Sequence, residues 1–180
     1  MSSASGILNQ SWQNIELIIV DDCSTDGTWS CMQSLASADN RVRLIRNKVN
    51  VGPYVSKNRA VGIAKGKYLT GHDADDWAHP QRIERHLKEM LRRPSVKASL
   101  AKMVRVDIDG RVAQFTKQGK TSSDGVSRLA SIACMFEMDF FKKYFGHWDV
   151  VRFGADSELI ERARTILGDR FETKGRLCDT

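Results

Sequence analysis

The segment Ile15-Glu16-Leu17-Ile18-Ile19-Val20 constrains the fold more than any other in the chain. It is short, almost continuously apolar, rich in β-branched residues, and it stops abruptly at Asp21-Asp22. Such a run suits a strand covered on both faces in a parallel sheet, where no solvent-facing side demands alternation. Ser24, Thr25, Asp26 and Gly27 then supply a turn and capping groups, and Trp29, Met32, Leu35 and Ala36 recur at the spacing of one helical stripe. Strand, turn and helix in that order are the unit from which parallel sheets are wound.

The pattern repeats. Residues 42–45 read as a second strand, 56–64 as a helix closed by Gly66, and Tyr68-Leu69-Thr70 as a third strand running into His72-Asp73-Ala74-Asp75-Asp76. Pro80 suits the first turn of a helix over the basic run 82–93, in which Ile83, Leu87, Met90 and Leu91 form an apolar stripe, and Pro94 stops it. The charges of that run read as a solvated helix face. Two extended runs within 96–115 flank Asp109-Gly110, a hairpin signal, and 117–127 reads as an exposed polar loop. Residues 139–144 and 156–167 read as helices capped by Gly146 and Gly168. The class is α/β, with antiparallel strands joining in the second half, and 180 residues suit one domain with a real core.

Composition excludes more than it selects. With 41% hydrophobic and 28% charged residues the chain is of globular type. A net charge of +6 favours anionic partners, but the lysines and arginines are dispersed, and phosphate-bearing small molecules satisfy that balance as well as nucleic acid does. We therefore expect no nucleic-acid partner. Cys23, Cys31, Cys134 and Cys178 form no CxxC pair and have no histidine at ligand spacing, so neither zinc nor a disulfide framework is indicated, and a reducing compartment is the simpler expectation. The start has no basic segment followed by an apolar run, and nowhere do about 18 apolar residues follow one another, so we expect no leader and no transmembrane segment.

The chemistry is expected where open α/β sheets bind ligands, beyond the carboxyl ends of their strands. Asp21 and Asp22 close one predicted strand and Asp73, Asp75 and Asp76 follow another, so one crevice could hold all five. Like charges about 4 Å apart cost on the order of 4 kcal/mol at an effective dielectric near 20. A hard divalent cation offsets that repulsion, and Mg²⁺ or Mn²⁺ takes few protein ligands, completing its shell with phosphate oxygens and water. Each cluster also has a local reading: a solvated acidic loop with one aspartate capping the helix after Pro80, and a turn or cap at Asp21-Asp22.

From Val20 to Thr28 the sequence VDDCSTDGT resembles the VDDxSxDxT segment of family 2 glycosyltransferases. Asn50-Val51-Gly52, Lys57-Asn58-Arg59, Ala64-Lys65-Gly66-Lys67-Tyr68-Leu69, and Asp73-Ala74-Asp75-Asp76 with Pro80 are similar in order and spacing to that family's next blocks. The resemblance implies a GT-A fold: a Rossmann-like, mostly parallel sheet with helices on both faces and some antiparallel strands in the C-terminal half. It would divide a single domain into a nucleotide-binding half, 1–93, and an acceptor-side half, 94–180. It implies that Asp22 hydrogen-bonds the nucleotide base with Asp21 beside it. Asp73 would face the ribose or diphosphate and join Asp75, the principal ligand, in holding Mn²⁺ or Mg²⁺, with Asp76 in support. Lys57 stands where the family commonly has arginine, keeping the charge but losing bidentate recognition of the nucleotide.

Farther on, Gly146-His147-Trp148-Asp149 and Phe153-Gly154-Ala155-Asp156-Ser157-Glu158-Leu159 look like the family's G-x-D stretch and the acidic motif that supplies its catalytic base. That maps the base to Asp156, with Glu158 as the weaker candidate and an N-cap as the local alternative. His72 and His147 are read as packing or hydrogen-bonding residues. The implied reaction is an inverting displacement that moves a sugar from a nucleotide diphosphate donor, a UDP-sugar, to a hydroxyl of a glycan, lipid-linked or small-molecule acceptor. The family-level setting is polysaccharide biosynthesis in the cytoplasm or against the inner face of a membrane, and it leaves room for a homo-oligomer. One departure is large: the family begins with a strand and a nucleotide-contacting turn before the helix that ends near Asn9-Gln10. The chain is therefore expected to start inside that helix, N-terminally truncated relative to the family, with a gap or an exposed edge in its sheet. The alternative function that follows is a non-catalytic or truncated nucleotide-sugar-binding or interaction module.

Overall fold

The computed structural model describes residues 3–107, 109–112, 125–151, 153–168 and 171–172. Helix α1 (Ser3–Leu8) leads to β1 (Leu17–Asp21), α2 (Thr28–Ala38), β2 (Val42–Arg46), α3 (Pro53–Ile63), β3 (Tyr68–Thr70) and α4 (Arg82–Arg92). Short strands follow, β4 (Ala98–Ser99), β5 (Lys102–Met103), β6 (Arg128–Leu129) and β7 (Met135–Glu137), then α5 (Met138–Tyr144), α6 (Ala155–Leu167) and β8 (Phe171–Glu172). The class is the α/β expected from the sequence, with both parallel and antiparallel pairing.

β1 and β2 pair in parallel, Leu17 opposite Val42 and Asp21 opposite Arg46. A second ladder runs β3-β7-β4-β8, antiparallel except for the parallel pair β4 and β8. β5 and β6 form a third, antiparallel pair. The Asp109-Gly110 hairpin is present at its tip: Val106 bridges Val112, the Asp107 amide donates to the Arg111 carbonyl at 3.0 Å, and Gly110 takes φ +80°. Residues 113–124, with most of the polar segment read as a loop, lie outside the described residues. Ser127, at the end of that segment, is buried, unlike the exposed loop expected there.

The core lies mainly in the C-terminal half. Phe136 on β7 packs 5.5 Å from Phe141 and 5.6 Å from Phe145, ring centre to ring centre, and Trp148 lies 5.2 Å from Phe141. Leu159, Ile160, Ala163 and Leu167 of α6 close over them, and Tyr54 and Val61 bring in α3. Helix α4 buries Ile83, His86, Leu87 and Met90, whereas Leu91 is 53% exposed. The expected stripe is thus shifted: His86 takes the inward i+3 place, and Leu91 falls outside it. Arg82, read as part of the solvated face, is instead half-buried, and its Nη1 donates to Thr70 Oγ1 and the Gly71 carbonyl, both at 3.2 Å.

β1 differs from the doubly covered strand the sequence suggests, because Leu17, Ile18, Ile19 and Val20 are each only half-buried. Among the described residues β1 pairs with β2 alone and β3 with β7 alone, so no backbone ladder joins the strand ending at Asp21 to the strand leading to Asp73. Side chains make the connection. The Glu16 carboxylate accepts the amides of Lys65 and Gly66 at 2.5 and 2.7 Å, just before β3. Buried Gln10 donates to the Gly6 and His79 carbonyls and accepts from the Ile83 amide, tying α1 to α4. At the end of β3 the chain passes so close to residues 131–133 that a β-carbon on Gly71 would lie 2.5 Å from the Ile132 carbonyl oxygen. Only glycine fits there.

His86 accounts for a measurable share of acid sensitivity. Its Nδ1 lies 2.9 Å from Ser99 Oγ, and burial, reinforced by the Arg82 charge, lowers its pKa to about 3. The unfolded state therefore binds the extra proton first, so stability is full above about pH 6.5 and falls as pH drops toward the folded value, by up to about 1.4 kcal/mol per pH unit. Urea unfolding between pH 6.5 and 4 should show a shallower loss in His86→Asn than in the unsubstituted chain.

Candidate active site

β1 delivers two aspartates to one corner, and the structure uses them differently. Asp21 is buried, accepts the Ser24 amide at 3.1 Å and pairs with Arg46 Nε at 3.0 Å, opposite it in the ladder. The Arg46 guanidinium also lies over the Trp29 ring at 5.0 Å, so this pair clips β1, β2 and α2 together. Asp21 is thus engaged within the protein. Asp22 accepts the amides of Val51 at 2.9 Å and Gly52 at 2.7 Å, and Asn47 Nδ2 at 2.8 Å. Burial raises the Asp22 pKa, but hydrogen bonds involving Val51, Asn47, Gly52 and Ser56 outweigh that and hold the carboxyl below its ordinary range.

The loop Asp22 grips delivers α3. Gly52 takes φ +85°, a conformation that suits glycine, and Pro53 occupies the first turn. The helix consequently begins three residues before the start at Ser56 expected from the apolar pattern. Buried Asn47 donates its second amide hydrogen to Ser56 Oγ at 2.8 Å and accepts from Arg59 Nη1. Lys57, the next residue on α3, reaches across the molecule: Nζ lies 3.2 Å from Asp156 Oδ2, 3.3 Å from Asp156 Oδ1 and 3.5 Å from Asp73 Oδ1. The side chains of Lys57 and Asp156 are each 18% exposed.

Asp156 sits in the first turn of α6, but its carboxylate is not spent on capping. The N-cap is Gly154 at φ +86°, and among the described residues no side-chain bond caps the helix. Instead Trp148 Nε1 donates to Asp156 Oδ1 at 2.9 Å. Nor does an aspartate of the acidic loop cap α4, whose N-cap is Gln81 without a side-chain bond. In that loop the Asp76 amide donates to the Asp73 carbonyl at 3.1 Å, and Ser3 Oγ donates to the same oxygen at 3.0 Å. The Asp73 side chain is 47% exposed, and Asp75 and Asp76 are exposed. Partial desolvation, then the charges of Asp73 and Asp75, push the Asp76 carboxyl above its ordinary range. The Arg82 and Arg105 charges act on it in the opposite sense. Among the described residues no three His, Cys, Asp or Glu side chains converge as a ready-made cage.

The structure thus brings together Lys57, Asp73 and Asp156, and links Asp22 to them through Asn47 and Ser56. Asp75 stands at the exposed loop and Asp21 is packed away. Glu158 pairs with Arg162 at 2.9 Å on the surface of α6. Burial and the Arg82 charge lower the His72 pKa to about 4, so it is neutral near pH 7. Sequence reasoning passed over Trp148, Asn58 and Asn47. The first two lie inside motif blocks but carry no acid or base, and the Asn58–Trp148 contact spans 90 residues of sequence.

Comparison with known proteins matches this arrangement to one family. The profile described as Glycosyl transferase family 2 matches residues 4–145, well over half of the chain. The chain belongs to glycosyl transferase family 2. It is 42% identical over 83 residues to an uncharacterized glycosyltransferase of Haemophilus influenzae, covering 46% of this chain and 26% of that one. It is similar to the solved structure of S. aureus TarS 1-349 in complex with UDP-GlcNAc, at TM-score 0.70 and 18% identity, over 89% of this chain and 48% of that one. It is likewise similar to the mannosyltransferase PcManGT from Pyrobaculum calidifontis in complex with GDP-Man and Mn²⁺, at TM-score 0.68 and 21% identity, over 97% and 50%. The fold is that of these GT-A glycosyltransferases, and the chain spans about a quarter of that relative and half of each solved chain. No described helix is long and apolar enough to cross a membrane.

Asp22→Ala strips the partners from two loop amides and one buried asparagine, so it should destabilise the ligand-free protein by about 1 to 2 kcal/mol in urea unfolding. An Asp22 serving only a nucleotide would leave that value unchanged.

Proposed function

We propose that this protein moves a sugar from a nucleoside diphosphate, a UDP-sugar, to an acceptor hydroxyl with inversion of configuration. The observation that carries the reading is the Asp156 carboxylate: among the described residues it caps no helix, and it is held by Lys57 and Trp148 while that same lysine lies 3.5 Å from Asp73. Asp156 takes the proton of the acceptor hydroxyl as its oxygen bonds to the anomeric carbon, and the bond to the diphosphate breaks with its electron pair leaving on phosphate oxygen. Lys57 offers the diphosphate a positive charge, and Asp22, with the loop it grips, forms the nucleotide side of the pocket.

Asp73 and Asp75 would hold Mn²⁺ or Mg²⁺. The donor set fits a hard cation: carboxylate oxygens, neighbouring in sequence, largely exposed, and too few for an all-protein cage, as suits an ion that keeps phosphate and water in its shell. When bound, such an ion stabilises negative charge on the departing diphosphate. Support for the donor class comes from the UDP-GlcNAc and GDP-Man complexes of similar fold. The acceptor class, glycan, lipid-linked or small-molecule, rests on family resemblance alone, as does a place in polysaccharide synthesis at the cytoplasmic side of a membrane.

A second reading, a nucleotide-binding module without turnover, is favoured by the unjoined ladders that carry the two acidic corners. Thermal unfolding and turnover separate the two. Mn²⁺ with UDP at a hundredfold excess over Kd should add about 2.7 kcal/mol, a rise in Tm of about 5–10 °C. Asp75→Asn should abolish the rise, and chelation should reverse it. Asp156→Asn should keep the rise and lose release of UDP from the sugar donor. A shift without any turnover supports the second reading, and no shift with UDP or GDP removes both.

A further inference from the structure

Resting on the reading of Asp156 as the base, we infer that Trp148 is a positioning residue that selects which oxygen of that carboxylate meets the acceptor. Oδ1 carries two donors, Trp148 Nε1 at 2.9 Å and Lys57 Nζ at 3.3 Å, whereas among the described residues Oδ2 carries Lys57 alone, at 3.2 Å. A carboxylate can turn about its terminal bond at little cost, since that torsion is broad. Two donors on one oxygen stop the rotation and leave Oδ2 with room to accept a hydroxyl proton.

The indole is itself held. It is buried against Phe141, and its residue is clamped through the backbone: the Trp148 amide donates to Asn58 Oδ1 and Asn58 Nδ2 donates to the Trp148 carbonyl, both at 2.9 Å. Asn58 is the neighbour of Lys57 on α3. One helical turn thus grips the base twice, directly through Lys57 and indirectly through Asn58 and Trp148, and any shift of α3 moves both donors together. Hydrogen bonds to an ionised acceptor are about twice as strong as neutral ones, which suits a contact that orients a charged group.

Two measurements on the full chain test this. In ¹⁵N-resolved proton spectra the indole resonance that vanishes in Trp148→Phe should lie downfield in the unsubstituted protein. It should move upfield in Asp156→Asn, while the other three tryptophan indoles stay in place. In turnover of UDP-GlcNAc, UDP-glucose and GDP-mannose with water as acceptor, Trp148→Phe should lower kcat about 10-fold or more with donor KM unchanged. Asn58→Ala, which leaves the indole in place but frees its backbone, should show a smaller loss of the same kind. An indole signal indifferent to Asp156→Asn overturns the inference, as does Trp148→Phe turning over at the original rate while Asp156→Asn is inactive. If Asp156→Asn itself turns over normally, the base assignment fails and the role given to Trp148 goes with it, even where the indole signal shows the contact intact.

Discussion

A single ammonium group, Lys57 Nζ, stands between two carboxylates brought from separate parts of the chain, Asp73 from the loop after β3 and Asp156 from α6, 99 residues away in sequence. At an effective dielectric near 20, unit charges about 4 Å apart attract by about 4 kcal/mol, and much of that offsets the cost of withdrawing the groups from water. The pair therefore adds little to net stability. What it supplies is position: without the lysine the two carboxylates would repel, and α6 would have no electrostatic reason to face the acidic loop. Lys57 is in turn placed by a relay of hydrogen bonds, from Asp22 to the loop 47–52, and from Asn47 to Ser56. The site depends on α3 being docked correctly, and α3 is docked by the very corner that β1 ends in.

The two acidic corners sit on ladders that no backbone pairing joins among the described residues. Glu16 and Gln10 make the junction with side chains, Glu16 bonding to the amides just before β3 and Gln10 to main-chain groups at the start of α4. Hydrogen bonds of this kind contribute about 0.5–1.5 kcal/mol each. They are weaker and more local than a shared ladder with apolar faces, and the half-buried Leu17, Ile18, Ile19 and Val20 show where burial is incomplete. Stability is concentrated elsewhere, in the aromatic core of Phe136, Phe141, Phe145 and Trp148 beneath α6.

Much of the first half was legible because its signals are local. The apolar run ending at Asp21 and the Tyr68-Leu69-Thr70 strand announce themselves within a few residues. Limits moved where a neighbour overruled the pattern. Helix α3 begins at Pro53 because Gly52 can adopt positive φ, and His86 displaces Leu91 from the α4 stripe because Ser99 offers it a buried partner. In the second half the strands are only two or three residues long, too short for periodicity to reveal, and their pairing is between segments distant in sequence.

By itself the sequence determined the class of fold, the family, and which carboxylates were available, since residue type, spacing and strand-end placement are written along the chain. For Asp21, Asp22, Asp73, Asp75 and Asp156 it offered roles by family resemblance, but neither their burial nor their hydrogen-bond partners. Tertiary structure gave each its surroundings: Asp21 is buried against Arg46, Asp22 is bound to loop amides, Asp75 is exposed, and Asp156 is met by an indole eight residues before it and an ammonium 99 residues before it. The reason is that a carboxylate's chemistry is set by its donors and its solvent, and here those come from residues that only folding brings within hydrogen-bonding distance.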